Sequence, residues 1–188
     1  MDDPGYCTQA AHSQLLIVDM QERLAGAMDE VARNASVRAA GILARAAGHL
    51  EIPVIVSEQY PKGLGHTVDA LSEDLPGNTR VLEKIAFSCC GEAGILDALK
   101  GARRPQVVVC GMETHVCVLQ TAMDLQTSGF QAFVPEDAVC SRDPANKANA
   151  LHRLRQSGIT VTNTESVIFE WLRDARHSQF KTLTALIK

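Results

Sequence analysis

Short apolar runs rich in β-branched residues alternate with helical patterns along the whole chain of 188 residues. Six of these runs predict strands, over residues 14–19, 53–57, 80–84, 106–110, 130–134 and 159–162. The segments between and after them predict helices, over residues 34–50, 94–99, 116–127, 143–156, 166–174 and 178–186. Strands that are apolar throughout have to be covered on both faces. The alternation therefore predicts an α/β fold built on a parallel sheet.

The length, composition and charge of the chain indicate a single globular domain that does not bind nucleic acid as its main partner. A chain of 188 residues fits one domain, and we expect residues 1–188 to form it, with residues 1–12 as a flexible N-terminal tail. The composition, 46% hydrophobic and 21% charged, is that of a globular protein and excludes a disordered chain or a coiled coil. The net charge of −4 argues against nucleic acid as the main partner.

The sequence shows no signal for a membrane or for export. Its first residues have neither the basic nor the apolar region of a secretory signal, and no apolar run reaches the length of a membrane span. We therefore expect no membrane partner and a cytoplasmic location. The cysteines form no Cys-x-x-Cys pair, and we expect them to be free thiols in a reducing compartment; they are Cys7, Cys89, Cys90, Cys110, Cys117 and Cys140.

Three predicted strands end in residues that can act together. Asp19 ends the first strand, Lys84 ends the third, and Cys117 follows the strand at 106–110 where the next helix begins. In a parallel sheet these ends lie at one edge. A carboxylate can accept the thiol proton and return it to a leaving group, a lysine keeps that carboxylate ionised, and a helix N-terminus favours the thiolate. The trio predicts attack on an amide-like carbonyl carbon through a covalent thio-intermediate, with a pKa of Cys117 well below that of an ordinary thiol.

Several segments are similar to those of a known family. They are Leu-Leu-Ile-Val-Asp-Met-Gln at 15–21, Val-Leu-Glu-Lys at 81–84 with Phe87-Ser88, and Val-Val-Cys-Gly-Met-Glu-Thr-His-Val-Cys-Val-Leu-Gln-Thr-Ala at 108–122. On these residues the chain resembles the isochorismatase-like cysteine hydrolases over nearly its whole length. The segments at 57–65 and 164–169 are similar to the isochorismatase-domain-containing branch of that family.

The resemblance implies a fold, a site and an assembly. The fold is a three-layer α/β/α sandwich with a six-stranded parallel sheet. The site is a catalytic triad of Asp19, Lys84 and Cys117, with a cis peptide bond between Met112 and Glu113 and an oxyanion hole formed by the backbone N–H groups of Glu113 and Cys117. Family members commonly form dimers, tetramers or larger rings, so we expect a homo-oligomer, with residues 165–188 at part of its interface.

The chain departs from the nicotinamidase branch, which carries a metal-binding Asp-x-His pattern after its second strand. Glu-Gln-Tyr-Pro stands here at 58–61, so we expect no metal, no cofactor and no nicotinamidase activity. We expect a small-molecule substrate in a pocket lined by aromatic, amide and other side chains: Leu24, Gln59, Tyr60, Phe87, Ser88 and His115. The long segment 59–79, with one helical turn near 68–71, is expected to be a lid or binding loop.

Three functions other than amide hydrolysis are alternatives for this sequence. In hydrolysis of a vinyl ether, as in isochorismatase itself, Asp19 would protonate the substrate and Cys117 would not be the nucleophile. An oligomeric binding or scaffold protein without turnover would leave the trio unused. A flavodoxin-like nucleotide binder needs a glycine-rich phosphate loop after the first strand, and the sequence Met-Gln-Glu-Arg-Leu at 20–24 lacks one.

Overall fold

The computed structural model describes residues 6–188, and its centre is a seven-stranded parallel β-sheet. The strands are β1 (Ser13–Val18), β2 (Val54–Gln59), β3 (Arg80–Lys84), β4 (Gln106–Met112), β5 (Gln131–Pro135), β6 (Val139–Cys140) and β7 (Thr160–Thr162). Their order is β3-β2-β1-β4-β5-β7, and β6 pairs with the end of β4. All of these pairs are parallel, so the predicted parallel sheet is confirmed, with the two-residue β6 added to the six predicted strands.

Helices cover both faces of the sheet. In the described part of the chain they are α1 (Glu22–Gly26), α2 (Glu30–His49), α3 (Pro61–Leu64), α4 (Asp69–Ser72), α5 (Ala93–Gly101), α6 (Leu119–Thr127), α7 (Pro144–Gln156), α8 (Thr164–Leu172) and α9 (Phe180–Leu186). Successive residues of a strand point to opposite faces. Leu15 and Ile17 accordingly pack with α2, α8 and α9, whereas Leu16 and Val18 pack with α5, α6 and α7. This arrangement is the expected three-layer α/β/α sandwich.

The segment between β2 and β3 is ordered and held to the carboxyl edge of the sheet. It forms two single helical turns, α3 and α4, where the sequence predicted one. The Gln21 amide donates to the carbonyl oxygens of Gln59 and Gly65, and the Glu58 carboxylate accepts from the backbone N–H and the hydroxyl of Thr67. These contacts fix the segment beside the ends of β1 and β2.

The start of the described chain packs against the domain, which corrects the expectation of a flexible tail over residues 1–12. Thr8 is fully buried and donates through its N–H and its hydroxyl to the Glu170 carboxylate. Gln9 donates its N–H to the Gln106 side chain, whose amide in turn donates to the carbonyl oxygen of Cys7. Residues 1–5 lie outside the described residues. No helix within residues 6–188 is long and apolar enough to span a membrane.

Gly111 in β4 is required by the close approach of β1. Its φ is 131°, and a Cβ atom there would overlap the carbonyl group of Val18. We therefore expect Gly111→Ala to lower the free energy of unfolding by about 2–4 kcal/mol, because the backbone of β1 would have to move. Urea denaturation checks this result. Gly94→Ala is the matched control, because a Cβ at Gly94 meets nothing within 4 Å; equal effects of the two substitutions would contradict the account.

Candidate active site

The ends of β1, β3 and β4 bring three buried reactive side chains to one edge of the sheet. Asp19 directly follows β1 and adopts a φ of 51°, a left-handed conformation that aspartate tolerates better than most residues. Lys84 is the last residue of β3. Cys117 lies in a π-helical turn (Thr114–Val118) between β4 and α6. All three are almost completely inaccessible to solvent.

Asp19 is the centre of this group. Lys84 Nζ lies 2.7 Å from Asp19 Oδ2, and both side chains are fully buried. The Ser57 hydroxyl donates to Asp19 Oδ1 over 2.7 Å, and the Cys117 thiol is within hydrogen-bonding contact of the same carboxylate. The carboxylate therefore contacts both a cation and the thiol, as the spacing of the strand ends predicted.

The Lys84 ammonium is held in place by oxygen atoms on several sides. Besides Asp19, its Nζ atom contacts Gln59 Oε1 at 2.7 Å and the carbonyl oxygens of Ala86 and Phe87 at 3.1 and 3.0 Å. An ammonium has three protons, so four oxygen neighbours use its whole donor capacity. The side chain is thus fixed as a buried charge beside Asp19 and is not free to reach into the cavity.

The pKa values of the pair Asp19 and Cys117 follow from burial. Burial raises the pKa of Asp19, and the Lys84 ammonium and the hydrogen bond from Ser57 oppose this shift without reversing it. Burial and the neighbouring Asp19 charge raise the pKa of Cys117 to about 12, although Lys84 acts in the opposite direction. This shift is opposite in direction to the low pKa of Cys117 that the sequence predicted, and burial is its largest cause.

The raised pKa predicts that the reactivity of Cys117 still increases at alkaline pH. The rate of its alkylation by iodoacetamide should rise further between about pH 9 and pH 10, because most of this thiol remains protonated there. Peptide mass spectrometry measures the rate at this residue. N-acetylcysteine is the reference, and its rate should level off above its pKa of about 8.5. A rate at Cys117 that also levels off by about pH 9 would contradict the prediction.

The turn before Cys117 has the backbone conformation that the resemblance implied. The peptide bond between Met112 and Glu113 is cis. The Glu113 carbonyl accepts from the N–H groups of Val116 and Val118. The Glu113 side chain is buried, and its carboxylate accepts from the backbone N–H and from Nε of Arg142. Arg142 therefore fixes the turn that carries Cys117.

A cavity of about 280 Å³ opens beside Cys117. Its walls are mostly apolar, and its lining residues are Leu24, Gln59, Leu64, Phe87, Glu113, Val116, Cys117 and Arg142. Leu24, Gln59 and Phe87 were predicted to line the pocket, and they lie there. The volume suits a small molecule.

Three predicted pocket residues lie elsewhere. Tyr60, whose φ is 38°, lines a neighbouring cavity of about 270 Å³ that Lys84 also lines. Ser88 accepts from the N–H of Cys90 and begins a short 3₁₀ turn. His115 pairs its Nδ1 with the Ser141 hydroxyl at 3.0 Å. None of the three lines the cavity beside Cys117.

Four residues of the site were missed by sequence reasoning. Ser57 ends an apolar strand segment, and its position beside Asp19 follows only from the parallel register of β1 and β2, which pairs Val18 with Ser57. Leu64 and Val116 carried no signal beyond their apolar character. Arg142 reaches Glu113 only because the two-residue β6 pairs with the end of β4. A strand of two residues has no periodicity that a sequence pattern could reveal.

The other cysteines pack in the interior or near it. Cys110 is fully buried in β4, and burial raises the pKa of its thiol. Cys89 is also fully buried, its Sγ lies 3.5 Å from the Ser57 hydroxyl oxygen, and burial raises its pKa to about 11. Burial likewise raises the pKa of half-buried Cys90 to about 12. The burial of these thiols is consistent with packing roles.

Glu58 stands in the segment where the related pattern has metal ligands, and here it binds the following loop. Burial acts to raise the pKa of Glu58, but hydrogen bonds from Thr67 and His66 outweigh it and lower the pKa. His66 Nδ1 lies 3.0 Å from Glu58 Oε2. Within residues 6–188 no group of three or more His, Cys, Asp or Glu side chains is arranged to hold a metal ion.

The described chain combines a parallel α/β/α sandwich with a buried group of Asp19, Lys84 and Cys117 at the carboxyl edge of its sheet. The chain belongs to the isochorismatase family, since the model of the isochorismatase domain matches residues 13–166. It is 38% identical over 182 residues to the secreted isochorismatase effector Isc1 of Phytophthora sojae, covering 94% of this chain and 85% of the relative.

Two solved structures illustrate the similarity in fold. A structure described as MAR1 ribonuclease from Caenorhabditis elegans superposes with a TM-score of 0.91 at 37% identity, covering 96% of this chain and 92% of that one. The YcaC gene product of Escherichia coli, described as an octameric hydrolase of unknown specificity, superposes with a TM-score of 0.88 at 22% identity, covering 98% and 91% of the two chains. The second likeness supports the fold alone.

Proposed function

We propose that the chain is a cysteine hydrolase that cleaves small amide-like carbonyl compounds through a covalent intermediate on Cys117. The observation that carries this proposal is the buried contact of one carboxylate, Asp19, with both the Cys117 thiol and the Lys84 ammonium. A base in contact with a protonated thiol and a fixed cation is the arrangement that general-base activation of a nucleophile requires.

The reaction proceeds in two halves with Asp19 carrying one proton. Sγ of Cys117 attacks the carbonyl carbon while its proton passes to Asp19, and the carbonyl oxygen becomes an oxyanion. As the C–N bond breaks, the proton passes from Asp19 to the leaving amine, which leaves a thioester on Cys117. Water then attacks the thioester, gives its proton to Asp19, and the C–S bond breaks to release the acid and restore the thiol.

The surroundings of the trio supply the remaining requirements of this reaction. The raised pKa of Asp19 favours uptake of the thiol proton, and Lys84 stabilises the charged carboxylate between the two halves. We assign the oxyanion hole to the backbone N–H groups of Glu113 and Cys117. No cofactor takes part in the proposed reaction.

Vinyl-ether hydrolysis of the isochorismate type is the alternative within the same site. There Asp19 would deliver a proton to the substrate and Cys117 would remain unmodified. The raised pKa of Asp19 suits a proton donor as well, so it does not separate the two reactions. The direct contact of the thiol with Asp19 favours the amide reaction, since a bystander thiol needs no base.

A substrate panel tests the proposal. Purified protein is assayed for ammonia release from small primary amides, for hydrolysis of isochorismate, and for cleavage of single-stranded RNA, the activity named for the Caenorhabditis elegans neighbour. We expect turnover of amides and none of RNA, because the chain has a net charge of −4 and the cavity is mostly apolar. Turnover of isochorismate or RNA without any amide would overturn the proposal, and no turnover at all would favour a scaffold.

We further propose a reducing compartment such as the cytoplasm, and a homo-oligomer. All six cysteines are free thiols, which supports the compartment, although the Phytophthora sojae relative is named as secreted.

Phe169 of α8 is 43% exposed beside Phe180 of α9, which supports an interface of the proposed homo-oligomer within residues 165–188. Trp171 in the same helix is buried and donates to Ser13, so it belongs to the core. Light scattering measures the assembly.

A further inference from the structure

Arg142 stands at the mouth of the cavity beside Cys117 with part of its guanidinium unused. Its backbone N–H donates to Glu113 Oε2 over 2.9 Å, and its Nε lies 3.1 Å from both oxygens of that carboxylate. The Glu113 side chain is 7% exposed, whereas that of Arg142 is 62% exposed. The guanidinium is therefore bound to Glu113 through Nε, and its terminal nitrogens are on the exposed part of the side chain.

The two terminal nitrogens of Arg142, Nη1 and Nη2, have no hydrogen-bond partner among the described residues. They carry four N–H donors in a planar fork, which matches the two oxygens of a carboxylate. Because Nε is fixed by Glu113, the fork is held in one place and loses little conformational freedom when it binds an anion. A guanidinium in this position is prepared for a second carboxylate.

The rest of the cavity offers few competing polar groups. The amide of Gln59 is already used, since its Oε1 accepts from Lys84 and its Nε2 donates to the carbonyl oxygen of Ile85. The remaining lining side chains, apart from Glu113 and the Cys117 thiol, are apolar: Leu24, Leu64, Phe87 and Val116. A ligand that fits this cavity has a small apolar body and places its polar group at Arg142.

We propose that Arg142 determines specificity by binding a carboxylate of the substrate, so that the natural substrates are small amide-like carbonyl compounds that carry a carboxylate on a short apolar body. This inference rests on the proposed function for the identity of the reacting carbonyl. The carboxylate would lie end-on to Nη1 and Nη2, and the carbonyl carbon would face Cys117. Arg142 then acts twice, through Nε on the Glu113 turn and through its terminal nitrogens on the substrate.

Paired alkylating reagents test this role without any need for turnover. Cys117 is alkylated with iodoacetate and with its neutral counterpart iodoacetamide, and then with N-iodoacetylglycine and its amide, which place the charge farther from Sγ. Peptide mass spectrometry gives the alkylation rate of Cys117 by each reagent, and the rate with the acid is divided by the rate with its amide. The same ratio at partly exposed Cys7, measured in the same sample, is the internal reference. For at least one reagent pair, we expect the ratio at Cys117 to exceed that at Cys7 about tenfold, as one charge-assisted hydrogen-bonded pair provides.

Variants separate recognition from support of the fold. Arg142→Gln should lower the acid-to-amide ratio about tenfold, whereas Arg142→Lys should keep only part of it, because the positive charge remains but the planar fork and its anchor at Nε are lost. If Arg142 only supports Glu113, its substitution would slow both reagents together and leave the ratio unchanged. Equal ratios at Cys117 and Cys7 in the wild-type chain, for both reagent pairs, would overturn the proposal.

A second measurement covers the case in which Cys117 reacts with none of the reagents. Isobutyrate should then raise the melting temperature of the wild-type chain more than isobutyramide does, and Arg142→Gln should abolish the difference. Equal shifts would overturn the proposal. A wild-type preference for acids in a chain that hydrolyses no amide would instead keep the role of Arg142 and reject the proposed hydrolase.

Discussion

Replacement of Cys117 by alanine is expected to lower kcat/KM for an amide substrate by about 10⁴-fold or more, because the covalent route is lost with the nucleophile. The protein should remain folded, since the substitution removes one sulfur atom from the wall of an existing cavity. Steady-state ammonia release, measured beside the circular dichroism spectrum and the melting temperature, checks both statements. The loss should fall on kcat, because the cavity walls that bind the substrate are unchanged.

Cys90→Ala is the matched control for this experiment. Cys90 is another cysteine near the site, it is partly buried, and it does not line the cavity. Its replacement should leave kcat/KM within about twofold of the wild-type value. Full retention of amide turnover by Cys117→Ala would contradict the assignment of the nucleophile and would favour a reaction in which Asp19 acts alone.

Replacement of Lys84 by methionine is expected to lower the free energy of unfolding by about 3–5 kcal/mol and to abolish activity. The substitution leaves the Asp19 carboxylate fully buried without the cation that lies 2.7 Å away in the wild-type chain. The pKa of Asp19 would rise further above its unfolded value of about 3.9, so its charged form would be penalised in the folded state. The loss of stability should therefore be larger at neutral pH than at acid pH and should shrink as the pH falls toward that unfolded value.

Urea denaturation of three variants measures this coupling. Lys100→Met on the exposed surface of α5 is the control and should change the free energy of unfolding by about 0.5 kcal/mol or less. The double variant Asp19→Asn with Lys84→Met removes both charges and should recover most of the stability but none of the activity. A loss below about 1 kcal/mol for Lys84→Met alone would contradict a buried ion pair at this site.

The sequence was sufficient to predict the sheet and the trio for a simple geometric reason. Strands β1 and β4 contain the continuous apolar runs 15–18 and 107–110 and are buried along their whole length, so the runs indicate both the position of the strands and their burial on two faces. Parallel strands end at one edge, which brings Asp19, Lys84 and Cys117 to the same side of the sheet. The resemblance to the family is what assigned the three residues to one site. The family segments added the cis peptide bond, which periodicity does not encode.

The features that the sequence did not predict depend on contacts between distant residues. Arg142 and Glu113 lie 29 positions apart and meet only through the short pairing of β6 with β4. Tyr60 has a left-handed backbone conformation and lines a neighbouring cavity. The low pKa expected for Cys117 assumed a helix that begins at residue 116, whereas the chain forms a π-helical turn there and α6 begins only at Leu119. Burial then outweighs the effect of a helix dipole.

The covalent intermediate is the central claim, and trapping it is the most direct test. A turning-over mixture of the chain and an amide substrate is quenched in acid, digested and examined by mass spectrometry for an acyl group on the peptide that contains Cys117. We expect an acyl mass on this thiol that disappears on treatment with hydroxylamine, as a thioester does. The mixture is quenched both before and after one turnover time. If amide is hydrolysed steadily while the Cys117 peptide stays unmodified at all of these times, the covalent intermediate is contradicted.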